Sequence, residues 1–293
     1  MKISQIIENM EGVMMNVINS KEMREKRIVE LQQEVSKMNT KPKLAIIQIG
    51  NNPASNSYIK NKINLGNKIG IDVELFKFEN MLLTSSVIDV VEELNSDSSV
   101  NGIIVQLPLP SYIDENKVLN SILPSKDVDG LTMRQQGMLI NGDNDTLYPC
   151  TAKGVVNMLK NITSLEGKDV VIINRSHLIG IPLQTMLMRE NSTVMVCHSK
   201  TNDLKGKTQR ADIIVTGIGK AKFFDKSYFR DGQIIIDCSM NMSDGKLVGD
   251  VDMHDLNDIE VQIASGTGHT GPYTVLSLIE NTIEAYRSQS GER

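Results

Sequence analysis

Tryptophan is absent from this 293-residue chain, and aromatic residues make up only 4% of it. Aliphatic and methionine side chains, 16 Met among them, must therefore build the core. Cysteine is scarce too: Cys150, Cys197 and Cys238 stand far apart, odd in number and without a C-x-x-C pair. That excludes a disulfide framework and a zinc ribbon, and the expected location is the reducing cytoplasm. Basic charge is not in excess: 31 Lys and Arg stand against 36 Asp and Glu, a formal charge of −5. A nucleic-acid partner is not expected on that balance, although a local basic site for a small anion stays open. No uninterrupted apolar run reaches the roughly 18 residues of a membrane-spanning helix. Glu8 and Glu11 interrupt the N-terminal segment, which does not read as a signal peptide.

With 40% apolar and 23% charged residues the composition is that of a globular protein, and the length is about two domains' worth. Short β-branched runs alternate with longer helical patterns, the pattern of parallel sheets covered by helices. Strands are expected at Leu44–Ile49, Val73–Phe78 and Gly102–Gln106, the last halted by Leu107-Pro108-Leu109-Pro110. Helices are expected at Pro53–Leu65, with Gly66 and Gly70 punctuating its end, and at Ser86–Asn95. The polar, turn-rich stretch Ile140–Pro149 reads as a junction, followed by a helix at Thr151–Lys160. Beyond it, strands at Asp169–Asn174, Thr193–Cys197, Asp212–Thr216 and Gln233–Cys238 accompany a helix at Ile181–Arg189. Lys246–Val251 offers a short β segment after the Asp244-Gly245 turn. In the expected C-terminal helix, Tyr273–Tyr286, the residues Val275, Leu278, Ile279 and Ile283 share one face.

In the second half, VVIIN runs into Arg175-Ser176-His177-Leu178-Ile179-Gly180-Ile181-Pro182 and then a helix. A strand feeding a helix N-terminus offers free N–H groups and a positive dipole end to a pyrophosphate. The full G-x-G-x-x-G is missing, and an ordinary βα turn reads the same way. The next strand is more specific. An NAD-binding unit places an acid about 20 residues on, at the end of its second strand. Here that strand ends Cys197-His198-Ser199-Lys200-Thr201, with no acid before Asp203. Arg175, Ser199 and Lys200 offer charge and donors to a 2′-phosphate, so NADP is favoured and NAD is the alternative. Solvated loop residues are the plainer reading of Lys200 and His198. Asn174, Arg175, Ser176, Ser199 and Gly217 are the cofactor-binding candidates.

In the first half, Tyr58 and Lys62 are four residues apart and share a helix face, whereas Lys60 falls elsewhere. Gln106 closes a buried strand at the carboxyl edge where α/β proteins place ligands. Lys126-Asp127-Val128-Asp129-Gly130 puts two acids in a turn that would serve a metal, a helix cap or a ligand N–H equally well. The four histidines share no metal-ligand spacing and read as structural or loop residues; no metal is expected. Cys150 and Cys197 read as buried small hydrophobes.

Taken in order, several segments resemble the bifunctional methylenetetrahydrofolate dehydrogenase/methenyltetrahydrofolate cyclohydrolase family, often called FolD. They are Gly50–Gly70 (GNNPASNSYIKNKINLGNKIG), Gly102–Pro110 (GIIVQLPLP), Lys126–Gly130 (KDVDG), Pro149–Gly154 (PCTAKG), Arg175–Pro182 (RSHLIGIP), Cys197–Thr201 (CHSKT) and the GPYT at Gly271–Thr274. The resemblance implies two α/β lobes: an N-terminal substrate and catalytic domain over residues 1–146 plus 271–293, and a Rossmann-like, doubly wound NADP-binding domain over 147–270. It also implies a C-terminal helix that returns to the first lobe, and a homodimer. Tetrahydrofolate one-carbon derivatives would be the substrates. The catalytic set it implies is Lys62, Tyr58, Gln106 and Asp129: Tyr58 stacking on the folate, Lys62 as acid and base, Gln106 tuning it, Asp129 holding pterin N–H groups. Arg175 and Ser199 would bind the 2′-phosphate. A lysine at its ordinary pKa of about 10.4 is a poor base at neutral pH, so burial beside Ile59 and Ile63 with a Gln106 hydrogen bond is expected to lower it.

The chain departs from the family pattern mostly on the cofactor side. Asn174-Arg175-Ser176 replaces G-R-S; Asn tolerates positive φ better than most residues but brings a side chain near the cofactor. Ala152 stands for a proline, Asp237-Cys238-Ser239-Met240-Asn241 replaces D-V-G-I-N, and Ala264–Thr274 replaces T-P-V-P-G-G-V-G-P-M-T. A dehydrogenase alone, a cyclohydrolase alone, or a non-catalytic nucleotide- or folate-binding module are the alternatives.

Overall fold

The computed structural model describes residues 15–78 and 83–291; Glu8 and Glu11 lie outside them. In chain order come β1 (Met15–Val17), α1 (Ser20–Val35), β2 (Lys43–Ile49), α2 (Pro53–Ile69), β3 (Asp72–Phe78) and α3 (Thr84–Ser96). Next are β4 (Gly102–Val105), α4 (Glu115–Asn120), α5 (Met133–Asn141), α6 (Cys150–Ile162), β5 (Asp169–Ile173), α7 (Gly180–Arg189) and β6 (Thr193–Cys197). The chain continues through α8 (Leu204–Arg210), β7 (Ile213–Thr216), β8 (Gln233–Asp237), β9 (Asn241–Ser243), β10 (Lys246–Val248), β11 (Val261–Ala264) and α9 (Gly271–Ser290). Two compact units result among the described residues: Arg24–Gly154 with 274–291, and 15–23 with Val155–Tyr273.

The first unit holds a parallel sheet in the order β3-β2-β4. Side chains alternate along a strand, and β2 sends Leu44 and Ile46 to one core and Ala45, Ile47 and Ile49 to the other. The first core is closed by Ile28 and Leu31 of α1 and by Leu276, Leu278, Ile279 and Ile283 of α9. Thus the last helix belongs to this lobe although the chain reaches it last. Helix α2 continues past the expected stop at Leu65. An added Cβ at Gly66 would lie 2.4 Å from Val73 Cγ2, so this glycine permits close helix–strand packing; Gly70, at φ +107°, ends the helix.

The second unit holds a sheet in the order β1-β11-β8-β7-β5-β6, parallel throughout. The chain turns to opposite sides of β5 at its two neighbours, β6 and β7, which creates a switch point at the carboxyl ends of β5 and β7. β1 differs from the expected division at residue 147: Met15 pairs with Val261 and Val17 with Ile263, and the Ile18 amide donates to the Ile263 carbonyl at 2.9 Å. A three-residue strand paired so far along the sequence carries no local periodicity to announce it. The short β segment at 246 is one arm of a hairpin with β9, and Asp244 (φ +50°) and Gly245 (φ +72°) form its two-residue turn. Among the described residues no helix is long and apolar enough to cross a membrane.

Candidate active site

Lys62 stands on α2 and donates from Nζ to Gln106 Oε1 at 2.9 Å. Gln106 follows β4 directly, and its own Nε2 is engaged with the Leu107 carbonyl at 2.7 Å, which leaves the oxygen for the lysine. Burial lowers the Lys62 amine from its ordinary value, while the nearby Asp129 and Cys150 act the other way. Tyr58, one turn earlier on the helix, is half-buried, and burial pushes its phenol up.

The turn after the Pro124–Lys126 helical turn divides its charges by task. Lys126 is buried and donates to the carbonyls of Leu94 (3.0 Å), Asn95 (2.8 Å) and Asp97 (2.7 Å), capping the end of α3. Asp127 is buried and accepts from the amides of Gly130 at 2.9 Å and Thr132 at 2.8 Å; burial raises it to about 6. Gly130, at φ +70°, lies where a Cβ would come within 2.6 Å of the Leu147 carbonyl oxygen. That close approach sets the turn against the start of α6, where the Cys150 thiol donates to the Val128 carbonyl at 3.2 Å. Asn281 of α9 donates to the carbonyls of Val128 and Tyr148, both at 2.8 Å, and accepts from Lys153 Nζ at 2.8 Å. Asp129 is left half-buried on the side of Lys62 and Cys150.

In the other lobe, Asn174 follows β5. Its side chain donates to the Gly217 carbonyl at 2.5 Å and accepts from the amides of Ser176 at 2.7 Å and Gly180 at 3.2 Å. Ser176 Oγ accepts from the Ile179 amide at 3.1 Å. Gly180 allows the turn to close, since a Cβ there would lie 2.1 Å from the Asn174 carbonyl oxygen. Arg175 and Ser199 are both exposed. Ile173 pairs with Cys197 in the sheet, so each of the two sits two residues past a paired position on adjacent strands. The loop holding Ser199 is pinned by the His198 amide to Thr201 Oγ1 at 2.8 Å and by the Lys200 amide to His198 Nδ1 at 3.1 Å.

Two buried carboxylates brace the neighbouring loops. Asp250 accepts from the hydroxyls of Thr216 and Ser239, the amides of Ile218 and Lys220, and the side chain of Asn241. Asp237 accepts from the amides of Ser239 and Val251, and burial beside Asp250 raises it to about 7.

Comparison with known proteins gives this arrangement its context. Residues 18–129 match the model of the tetrahydrofolate dehydrogenase/cyclohydrolase catalytic domain. Residues 149–290 match the NAD(P)-binding domain of the same family. The chain belongs to the tetrahydrofolate dehydrogenase/cyclohydrolase family. A bifunctional protein FolD from Rickettsia bellii is 42% identical over 283 residues, 94% of this chain and 100% of that protein. The crystal structure of a bifunctional FolD methylenetetrahydrofolate dehydrogenase/cyclohydrolase from Campylobacter jejuni has a TM-score of 0.89 at 36% identity, covering 94% of this chain and 99% of that one. A Trypanosoma brucei relative, 27% identical with a TM-score of 0.86 over 94% of this chain and 98% of that one, was solved with NADP cofactor and inhibitor.

Against this family frame, Tyr58, Lys62, Gln106 and Asp129 gather in one lobe, and Asn174, Arg175, Ser176, Ser199 and Gly217 line the carboxyl ends of β5, β6 and β7 in the other. Asn174 brings its side chain into the turn without using the positive φ that asparagine tolerates: its carboxamide bonds Gly217, Ser176 and Gly180. Cys150 is buried as expected, but as more than a small hydrophobe: its thiol, pushed well up by burial and by the nearby Asp129, bonds the Val128 carbonyl of that turn. Only the fold brings α6 under the Asp129 turn, so spacing gave no sign of it. His269 is structural, with Nδ1 hydrogen-bonded to Ser20 Oγ at 2.8 Å.

Proposed function

We propose that this chain oxidises 5,10-methylenetetrahydrofolate to 5,10-methenyltetrahydrofolate with NADP and then hydrolyses the product to 10-formyltetrahydrofolate. The observation that carries this reading is the Lys62–Gln106 hydrogen bond, with Asp129 beside a lysine whose burial lowers its pKa. The residues after β5 and β6 fit NADP: Arg175 is exposed, and no acid follows β6 before Asp203 to repel a 2′-phosphate. Bound NADP supplies the hydride acceptor. Hydride loss from the carbon between N5 and N10 needs no base, so the first-lobe residues serve by orientation, Tyr58 against the ring system and Asp129 on the pterin N–H groups. Hydrolysis needs a proton moved. Neutral Lys62 takes one from the water that adds to the methenyl carbon and returns it to N5 as the C–N5 bond breaks, while the hydroxyl of the adduct gives its remaining proton to solvent as it becomes the carbonyl of the formyl group on N10.

Absorbance tests the reading directly. With methylenetetrahydrofolate and NADP the expected result is net NADPH formation without lasting accumulation of the methenyl chromophore. Lasting methenyl would mean a dehydrogenase alone; hydrolysis of added methenyl substrate without NADPH formation would mean a cyclohydrolase alone. Substituting NAD is expected to slow the first step.

The same reading carries a homodimer and a cytoplasmic location. Support for the dimer comes from β3, an edge strand among the described residues, with Leu75 36% exposed and Phe76 and Phe78 half-buried. A free edge of this length is a surface that proteins usually cover. Light scattering is expected to give twice the 32.5 kDa of one chain; a monomer at micromolar concentration would exclude the dimer.

A further inference from the structure

The amides at the start of a helix that follows a sheet strand are the donors a pyrophosphate uses, because they are unpaired within the helix and lie at its positive end. In this lobe one such amide, that of Gly180, and one of the turn before it, that of Ser176, already have an acceptor. Asn174 Oδ1 takes the Ser176 N–H at 2.7 Å and the Gly180 N–H at 3.2 Å. The same carboxamide is anchored across the switch point by its donation to the Gly217 carbonyl at 2.5 Å. Its oxygen is therefore held in place, and the side chain closes the gap between the ends of β5 and β7. Glycine at this position would leave both N–H groups open and the Gly217 carbonyl unbridged.

We infer that Asn174 is a positioning residue that competes with the cofactor's pyrophosphate for the amide donors of the turn before α7. The inference rests on the dinucleotide reading of this lobe and extends it: Asn174 acts through the backbone. A dinucleotide that uses the Ser176 and Gly180 amides must displace the carboxamide first, which weakens binding by the value of the bonds given up. The effect falls on the shared part of the cofactor. NADP and NAD are affected alike, while discrimination between them stays with Arg175 and Ser199.

The test is a set of dissociation constants for the wild-type chain, Asn174→Gly and Asn174→Ala, with melting temperatures to establish folding. The ligands are NADP, NAD, ADP and adenosine 2′-monophosphate, the last of which keeps the 2′-phosphate and lacks a pyrophosphate. Asn174→Gly is expected to tighten NADP, NAD and ADP together, on the order of three- to tenfold each, the range a single net neutral hydrogen bond spans. Adenosine 2′-monophosphate is expected to bind unchanged. Asn174→Ala, which restricts the backbone more than glycine, is expected to move the same ligands in the same direction. Asn174→Asp keeps an acceptor at the amides and adds a negative charge, and is expected to weaken all three pyrophosphate ligands. Unchanged or weaker binding of NADP, NAD and ADP in folded Asn174→Gly and Asn174→Ala would overturn the inference, as would an equal shift for adenosine 2′-monophosphate. A wild-type chain that binds neither dinucleotide would instead overturn the cofactor reading itself.

Discussion

Lys62→Met is expected to slow hydrolysis of the methenyl substrate by roughly 10²–10⁴-fold, the range by which one positioned proton-transfer group accelerates a reaction. Methionine is nearly as long as lysine and tolerates a half-buried helix face, so the loss reports the amine and not a collapsed site. Oxidation of the methylene substrate is expected to persist, because hydride departure calls for alignment of two carbons and no base. The split between the two activities is the informative readout. The wild-type pH profile adds a second. Burial holds the Lys62 pKa below its ordinary value, and only the neutral amine accepts a proton. Hydrolysis therefore rises with pH through that lowered value, and this limb is absent from Lys62→Met. Gln106→Glu would set a carboxylate against the amine and is expected to shift the limb to higher pH. Unchanged hydrolysis in Lys62→Met would remove the lysine from the mechanism.

Arg175→Ala is expected to weaken NADP by about 1.5–3 kcal/mol, roughly 10- to 150-fold in Kd, because a hydrogen bond to a charged group is worth about that much. NAD, which has no phosphate at that position, is expected to change little, so the NADP/NAD ratio falls with Arg175. The guanidinium is exposed, which puts the effect toward the low end at physiological salt and makes it grow as salt is removed. Ser199→Ala should follow the same pattern with a smaller loss, since it removes a neutral donor. Equal weakening of NAD and NADP in Arg175→Ala would assign the residue to the shared part of the cofactor.

Much of this was legible in the chain because local physics wrote it there. Helical spacing put Tyr58 and Lys62 on one face, and alternation along β2 announced a strand buried on both sides. Missing acid at the end of β6 was visible as an absence. Other features depend on contacts that spacing does not encode. In KDVDG, nothing local distinguishes the acid that ties the turn from the one left half-buried; the amides of Gly130 and Thr132 decide it by claiming Asp127. Gly66 has the look of a helix stop, yet Val73 on the next strand makes it a packing site. Asn174 stands where the family pattern has glycine, and an added side chain near the cofactor was legible from that alone. Its three partners, one of them 43 residues away, were not. Cys150 joins Asp129 and Lys62 only because α6 begins beneath that turn.

The last helix has a consequence for synthesis. Its apolar residues complete the core of the lobe that begins at Arg24, and its Asn281 holds the turn that presents Asp129. A ribosome delivers that helix only after translating everything in between. Vectorial folding, in which an N-terminal domain settles while the remainder is still being made, is closed to this half of the molecule. Until that helix emerges, the unfinished apolar seam stays open to chaperones, and a nascent chain stalled inside the cofactor lobe holds a catalytic half that lacks its keystone.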